Sequence, residues 1–433
     1  MTEHAVQRAG PRILTRQDHP ISRSLISESA LRVLYRLHRS GFTAYLVGGA
    51  VRDLLLGRTP KDFDVGTNAR PQQIRRLFHN CRLIGRRFRL AHVRFGDEIV
   101  EVATFRRSPE APELPEDAPG DVLAPVMEAE EYGTPEEDAW RRDFTINALF
   151  YNIADFTVID YVGGIEDLQR RVVRSIGPPA QRFAEDPVRM MRAVEYAARL
   201  GFEIDPETLQ ALHDMPAEIR RAAPARIAYE VIESLHGAHA VEVLRGWEDH
   251  GLLPEILPEV SSAAAGSNRM LLWDLLAHGA AAARAGTPLR DETLLGTLFL
   301  PGFLQAAWEN GGIRRQGLEE TVRQVVDPPA TRLALSNHRA HILRSAMFLL
   351  ARLLAPPPST KIVLRSIRQE SFPVAMEIAR LLCQVTGRHG EALAAWEEAQ
   401  RRVEQGLPPL VSPAPAPPSG RRRRRRRRRR EAT

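Results

Sequence analysis

Cysteine is scarce in this chain: Cys81 and Cys383 are the only two in 433 residues. Two distant thiols exclude a disulfide framework or a cysteine-ligated zinc site, and they fit a reducing, cytoplasmic setting. Lysine is nearly absent as well, occurring only at Lys61 and Lys361, so positive charge is almost entirely arginine. No apolar run reaches the roughly 18 residues that would predict a membrane-spanning helix. Met1 to Gln17 is polar and lacks the apolar centre of a secretory signal. No internal repeat is evident. What is present suffices for a globular protein: 43% of residues are apolar, and the length allows about two to four domains with proper cores.

Charge is unevenly distributed. The formal net charge is +6, yet Arg421 to Arg430 alone supply ten positive charges, and subtracting ten from +6 leaves −4 for the rest. A terminal run of one sign predicts a solvated, disordered arm. Its chemistry suits nucleic acid, because each neutralised phosphate releases counterions; an arginine-rich composition without function is the plain alternative.

The pattern along the chain predicts an α+β protein. Residues 1–24 read as a loose basic lead-in. Residues 25–155 mix a helical pattern (Ile26, Leu31, Val33, Leu34, Leu37) with short aliphatic strands at Tyr45–Val47 and Glu98–Val102, as a mixed sheet with helices would. Within them, residues 108–138 are rich in Pro, Glu, Asp and Gly and read as a mobile acidic loop. Residues 156–260 and 261–405 carry helix-length apolar spacing, as an all-helical neck and body, with breaks expected at Gly177 to Pro179, Pro328-Pro329 and Pro356 to Pro358. Residues 406–433 turn Pro/Ala-rich and then poly-arginine, a disordered end.

Four clusters carry chemistry. The first is Gly48-Gly49 between a strand-like Tyr45–Val47 and a helix expected over Ala50–Leu56. Backbone N–H groups in such a turn can approach phosphate with no Cβ in the way, and Arg52 lies one helical turn on. An ordinary strand-to-helix turn fits the same residues. The second is Asp62 and Asp64. On a strand, that spacing puts both carboxylates on one face, with Phe63 and Val65 pointing into the core. Paired carboxylates repel unless a cation neutralises them, and magnesium suits such oxygen ligands. Acid-x-acid triplets recur by chance in a chain with 54 acidic residues, so the weight comes from position just after the glycine turn. Glu101, a charge within an apolar strand, offers a third carboxylate or simply faces solvent.

The third cluster, Arg141 to Leu149, sets two arginines, Asp143 and Asn147 ahead of an apolar run. Arginine forks bind phosphate oxygens, and Asp143 and Asn147 would share a helix face; a helix start with Asp143 near the cap fits equally. In the fourth, Asp186-Pro187 reads as an N-cap and first turn, with Gly201 closing the helix. Asp186, Arg189 and Arg192 would form one polar stripe, opposite Met190, Val194 and Ala197. Such a stripe can read a base edge or can be a solvated face.

Taken as an ordered set, LVGGAVRD at 46–53, KDFDV at 61–65, RRDFTINAL at 141–149 and EDPVRMMRA at 185–193 resemble the class II nucleotidyltransferases, the family of tRNA CCA-adding enzymes and bacterial poly(A) polymerases. The resemblance covers roughly residues 24 to 260. Three further stretches resemble the poly(A) polymerase branch: LIGRRFRLAHV at 83–93, the lead-in His19 to Ser22 and Ile99 to Arg106. So does the arginine-rich terminus, and no phosphohydrolase-type His-Asp pair is seen. Ala50 departs from the pattern, standing where that branch often has a third glycine.

The resemblance implies a nucleotidyltransferase head, a helical neck that recognises the base and an RNA-binding helical body. It implies ATP as substrate, a two-magnesium mechanism, RNA 3′ ends and RNA-decay proteins as partners, and no integral membrane segment. Asp62 and Asp64 would carry the metal ions, with Asp143 as third catalytic acid and Glu101 its physical competitor. Gly48, Gly49, Arg52, Arg142 and Asn147 would bind the nucleotide, and Glu185, Asp186, Arg189 and Arg192 would read its base. The implied reaction is template-independent adenylate addition; CCA addition to tRNA is the alternative.

Overall fold

The computed structural model describes residues 10–85, 90–107, 132–309 and 317–411. Arg86 to Arg89, most of the expected acidic loop and the arginine run lie outside them. The chain divides into two units, Met1–Glu230 with Glu242–Ile256, and Val231–Val241 with Leu257–Thr433.

The first unit is built on an eight-stranded mixed sheet. Its strands are β1 (Arg12–Leu14), β2 (Ala44–Val47), β3 (Asp64–Thr67), β4 (Cys81–Ile84), β5 (Leu90–Phe95), β6 (Glu98–Thr104), β7 (Leu149–Asn152) and β8 (Val158–Asp160). Their order is β1-β8-β7-β2-β3-β6-β5-β4. Only β3 and β6 pair in parallel; every other neighbour is antiparallel. The expected loose lead-in is therefore partly structured, since β1 joins the sheet edge and buried His19 sets Nε2 2.8 Å from the Phe156 carbonyl oxygen.

Helix α1 (Glu28–Arg39) forms where the sequence pattern placed it. The Ser27 side chain accepts from the Ala30 N–H, and Ala30, Val33, Leu34 and Leu37 are buried at helical spacing. α2 (Gly49–Leu55) follows the glycine turn and α3 (Pro71–Leu77) follows β3. α4 (Pro135–Trp140) is a correction to the expected acidic loop. Thr134 and Glu137 close a capping box there, and Asp138 and Ala139 are buried. Ala139 belongs to the apolar cluster of Val47, Phe105, Ala148, Phe150, Ile159 and Ile176 beneath the site. A Cβ on Gly66 would lie 2.6 Å from the Phe105 ring and 2.9 Å from Val47, so glycine at that strand position is what lets the cluster close.

After the sheet come α5 (Gly164–Arg170), α6 (Pro179–Glu185), α7 (Val188–Leu200), α8 (Pro206–Asp214), α9 (Pro224–His236), α10 (Ala240–Asp249) and α11 (Leu253–Ile256). A short parallel pair, β9 (Val172–Val173) and β10 (Glu203–Ile204), interrupts this helical stretch. The second unit holds α12 (Pro258–Ala265), α13 (Arg269–Arg284), α14 (Asp291–Glu309), α15 (Leu318–Arg332), α16 (Asn337–Leu353), α17 (Thr360–Ile367), α18 (Phe372–Thr386) and α19 (Gly390–Glu404). Pro328 and Pro329 do not break the chain as expected but lie inside the last turns of α15, while the break at Pro356 to Pro358 does separate α16 from α17. No helix among the described residues is long and apolar enough to cross a membrane.

One carboxylate fixes the step from sheet to helix. Asp160 is 2% exposed; its Oδ1 accepts from the N–H groups of Val162, Gly163 and Gly164, each at 3.0 Å, and its Oδ2 from Ile165 at 2.9 Å. Removing it leaves four partly or fully buried donors unsatisfied. Asp160→Ala is expected to cost about 2–3 kcal/mol by denaturant unfolding; a loss under about 0.5 kcal/mol would contradict this capping role.

Candidate active site

Strand register brings the expected acids and the glycine turn together. Val47, the last residue of β2, pairs with Asp64, the first of β3, so Gly48 emerges beside Asp64. On the other side Val65 pairs in parallel with Val102, which sets Asp64 next to Glu101 on β6. Asp62 precedes the strand and is exposed; Val65 is fully buried but Phe63 is only half-buried, so the expected Asp62–Asp64 strand face is realised only in part. Burial pushes the Asp64 carboxyl up to about 6, with the charges of Glu101 and Asp62 adding to the rise and Arg142 opposing it. Glu101 also sits 3.2 Å from Nε2 of His92, its cross-strand neighbour on β5. Among the described residues no three His, Cys, Asp or Glu side chains converge tightly enough to hold a metal by themselves. The site offers separate carboxylates, the kind of set magnesium completes with water and substrate phosphate.

The glycine turn has the conformation its sequence suggested. Gly48 has φ +72° and its N–H donates to the Leu149 carbonyl. A Cβ there would stand 3.0 Å from Nη1 of Arg142, so both backbone and space demand glycine. A Cβ on Gly49 would stand 3.4 Å from Nη2 of Arg52. Arg52 itself is only 2% exposed. It donates Nε to Asp53 (2.8 Å) and Nη1 to the Asn147 side-chain oxygen (2.5 Å), and stacks over Tyr196 at 5.3 Å. Burial works against its charge, but Asp53 outweighs that and raises its pKa.

Arg142 is fixed by Asp138, which accepts from Nε and Nη2 at 3.2 and 3.1 Å, while Nη1 donates to the Asn147 carbonyl at 3.1 Å. Asn147 thus ties both arginines to the glycine turn, and its Nδ2 donates to Asp143 at 3.2 Å. Asp143 and Asn147 do not share an α-helix; a short 3-10 turn, Thr145–Asn147, connects them.

Asp143, the expected third acid, is engaged by three neighbours. Its Oδ1 accepts from the Phe144 N–H (2.8 Å) and from Asn147, and its Oδ2 from Arg192 Nε (2.9 Å). Burial would raise this carboxyl, but Arg192 and these hydrogen bonds hold it below the usual range. The acid that strand pairing sets beside Asp64 is Glu101. Arg192 is correspondingly committed: it also donates to the Tyr196 hydroxyl (2.5 Å) and stands 3.5 Å from Glu230.

The remaining residues expected to read the base gather at the α6–α7 junction. Asp186 is not the cap of α7; it ends α6, and its carboxylate takes a two-pronged fork from Arg226 at 2.7 and 3.0 Å. Glu185 accepts from Arg182 at 2.7 Å and is 3.5 Å from Arg189, whose Nη1 donates to the Arg182 carbonyl. Arg182 Nη2 in turn donates to the carbonyls of Arg141 and Arg142, both at 2.9 Å, joining the junction to the third motif. Gly201 does close α7, at φ +69°.

Sequence reasoning missed Asp138, Tyr196, Arg226 and Glu230. Tyr196 left a signal, one helical turn beyond Arg192, and Asp138 lies one turn before Arg142; Arg226 and Glu230 depend on contacts between distant segments.

The free protein should register the repulsion at Asp64. Because its carboxyl titrates near 6 when folded and 3.8 is its ordinary value, the folded state binds the proton more tightly. Stability from this group is present below pH 4 and is lost as pH rises through 6. Asp64→Asn in chelator is therefore expected to stabilise the protein at pH 7.5 by up to about 3 kcal/mol, with the gain shrinking toward pH 4 in thermal melts. No gain at pH 7.5 would contradict the crowding described.

A family model described as "Poly A polymerase head domain" matches residues 44–174, and one described as "Probable RNA and SrmB- binding site of polymerase A" matches residues 201–264. The chain is 34% identical over 391 residues to a Haemophilus influenzae protein named poly(A) polymerase I, spanning 86% of this chain and 83% of that one. It is 50% identical over 260 residues to poly(A) polymerase I of Salmonella typhi, covering 60% of this chain and 56% of that protein, so that match spans little more than half of the relative's length. In fold it is similar to the Bacillus stearothermophilus CCA-adding enzyme in complex with CTP, with a TM-score of 0.57 at 24% identity over 88% of this chain and 82% of the other.

Proposed function

The chain belongs to the bacterial poly(A) polymerase family, and on that premise we propose that it transfers AMP from ATP to the 3′ end of RNA without a template. The observation that carries the reading is the register of β2, β3 and β6, which sets Gly48, Asp64 and Glu101 side by side. In the reaction the RNA 3′-oxygen forms a bond to the α-phosphorus of ATP, the bond from that phosphorus to the β-bridging oxygen breaks, and pyrophosphate leaves. The 3′-hydroxyl proton is lost to solvent.

The donor set fits magnesium. Asp62 and Asp64 make no hydrogen bond or ion pair among the described residues, and the like charges around Asp64 favour a cation. Asp62, Asp64 and Glu101 would hold it, and it would supply charge neutralisation at the α-phosphate and the leaving pyrophosphate. The chain's own contribution is placement. The Gly48-Gly49 backbone admits the triphosphate closely, and Arg52 and Arg142, pinned by Asn147 and Asp138, present fixed positive charge to it. Asp143 acts as a positioning residue that fastens Arg192 to Asn147. Glu185, Asp186 and Arg189 form the polar junction that reads the base, and soluble, cytoplasmic RNA 3′ ends are the acceptors. Magnesium, the domain division at residues 155, 260 and 405, and RNA-decay partners are part of the same proposal.

Asp62→Ala and Asp64→Ala are expected to abolish incorporation of labelled AMP into an RNA primer, and near-normal incorporation by both would refute the metal assignment. Assaying the four nucleotides one at a time separates the activities. Long tracts from ATP alone support polyadenylation, whereas use of CTP with arrest after three additions on tRNA would replace it with CCA addition.

Glu101 and Asp143 should fail differently. Glu101→Gln is expected to lower kcat about 100-fold or more with the melting temperature preserved or raised. Asp143→Asn is expected to lower the melting temperature, because Arg192 loses its charged partner. The reverse pattern would return the third-acid role to Asp143.

A further inference from the structure

A second charged concavity lies wholly within the helical unit, far along the sequence from the motifs above. It is a cavity of about 900 Å³ walled by α15, α16 and α17. Its floor is apolar, with Val322 and Leu349 buried and Ile362 half-buried. Its rim carries four guanidinium groups, Arg323, Arg344, Arg352 and Arg365. On α16 the lining residues His341, Arg344, Ser345, Phe348 and Arg352 recur every three or four positions, so one helix face supplies them. The half-buried ring of Phe348 therefore sits between Arg344 and Arg352, each one turn, about 6 Å, away along the axis.

Arg352 already donates Nη1 to the Ser366 hydroxyl at 3.2 Å, so the groove's charge on offer comes from the other three. Arg365 is exposed and makes no hydrogen bond or ion pair among the described residues. Arg323 pairs with Glu319 at 2.8 Å in a solvent-exposed pair, and Arg344 with Asp327 at 2.7 Å in a half-buried one. An exposed pair contributes little, so a phosphate can replace Glu319 on Arg323 at small cost. Arg323 also borders a shallower depression that runs along α15 past Asp327 to Arg332. An aromatic ring flanked by cations suits a ligand that alternates phosphates with flat rings. A free phosphate would use the arginines and leave the ring idle.

We propose that this groove binds single-stranded RNA, with a base stacked on Phe348 and backbone phosphates on Arg323, Arg344 and Arg365. The proposal rests on the reading of the chain as an RNA-modifying enzyme, but it concerns residues outside the four motifs. It implies that acceptor RNA is held at a place separate from where its 3′ end reacts.

The test is fluorescence anisotropy of a labelled oligo(A) with the full chain, without nucleotide, over a range of salt. The double variant Arg323→Ala/Arg365→Ala is expected to bind about 10-fold more weakly at 0.15 M salt, with the slope of log Kd against log salt reduced by about 1.4, the release expected for two single-strand phosphates. Phe348→Leu, which keeps an apolar side chain on the floor, should weaken oligo(A) several-fold and leave inorganic polyphosphate binding unchanged. Unchanged affinity and slope in the double variant overturns the proposal. An equal effect of Phe348→Leu on RNA and polyphosphate also overturns it, in favour of a simple polyanion site. A wild-type protein that binds oligo(A) but incorporates no AMP sinks the proposed activity and leaves the groove standing. Photocrosslinks from thiouridine-containing RNA should fall in α16 or α17; crosslinks confined to the sheet-bearing unit would count against the groove.

Discussion

The crowding of carboxylates at the mouth of one sheet is the constraint on which the site depends. Antiparallel pairing of β2 with β3 and parallel pairing of β3 with β6 leave Asp64 no choice of neighbours. Glu101 and Asp62 both raise its affinity for a proton, on top of the penalty for burial. A free protein would gain by losing any one of these charges. That the fold keeps them together beside a glycine turn is the observation on which the proposed cation site rests.

The positive side is held by a different device. Arg52 and Arg142 are anchored by Asp53, Asp138 and Asn147, so their guanidinium planes do not have to be ordered when a ligand arrives. Asn147 reaches Asp143 as well, and Asp143 grips Arg192 on α7. A chain of side chains thereby links the glycine turn to the helices that follow the sheet. A cost in buried polar groups is offset by the hydrogen bonds of each member, and few alternatives would leave every one satisfied.

Much of this was legible in the sequence because the signals are local. The glycine turn, α1, α7 with its Gly201 stop, and the acid-x-acid triplet all declare themselves within about a dozen residues. The triplet was only half right, because β3 begins at Asp64 and leaves Asp62 outside it. The resemblance to a known family located all four motifs but not the division of labour among them. Asp143 and Glu101 are both acids in apolar company, and only strand pairing shows which one neighbours Asp64. Asp138 was hidden inside a composition that reads as loop, although Thr134 and Glu137 form a capping box just before it. Pro328 and Pro329 read as a break, yet α15 accommodates them in its final turns. The groove on α15–α17 was invisible, because its arginines come from three helices and each looks like ordinary surface charge.

The account stands most directly on where divalent metal binds. Crystals grown with manganese and a non-hydrolysable ATP analogue would show it by anomalous scattering. The account predicts peaks bridged by the carboxylates of Asp62, Asp64 and Glu101 beside the triphosphate, with Asp143 still paired to Arg192. A metal ligated by Asp143, with Glu101 keeping its pairing to His92, would contradict it.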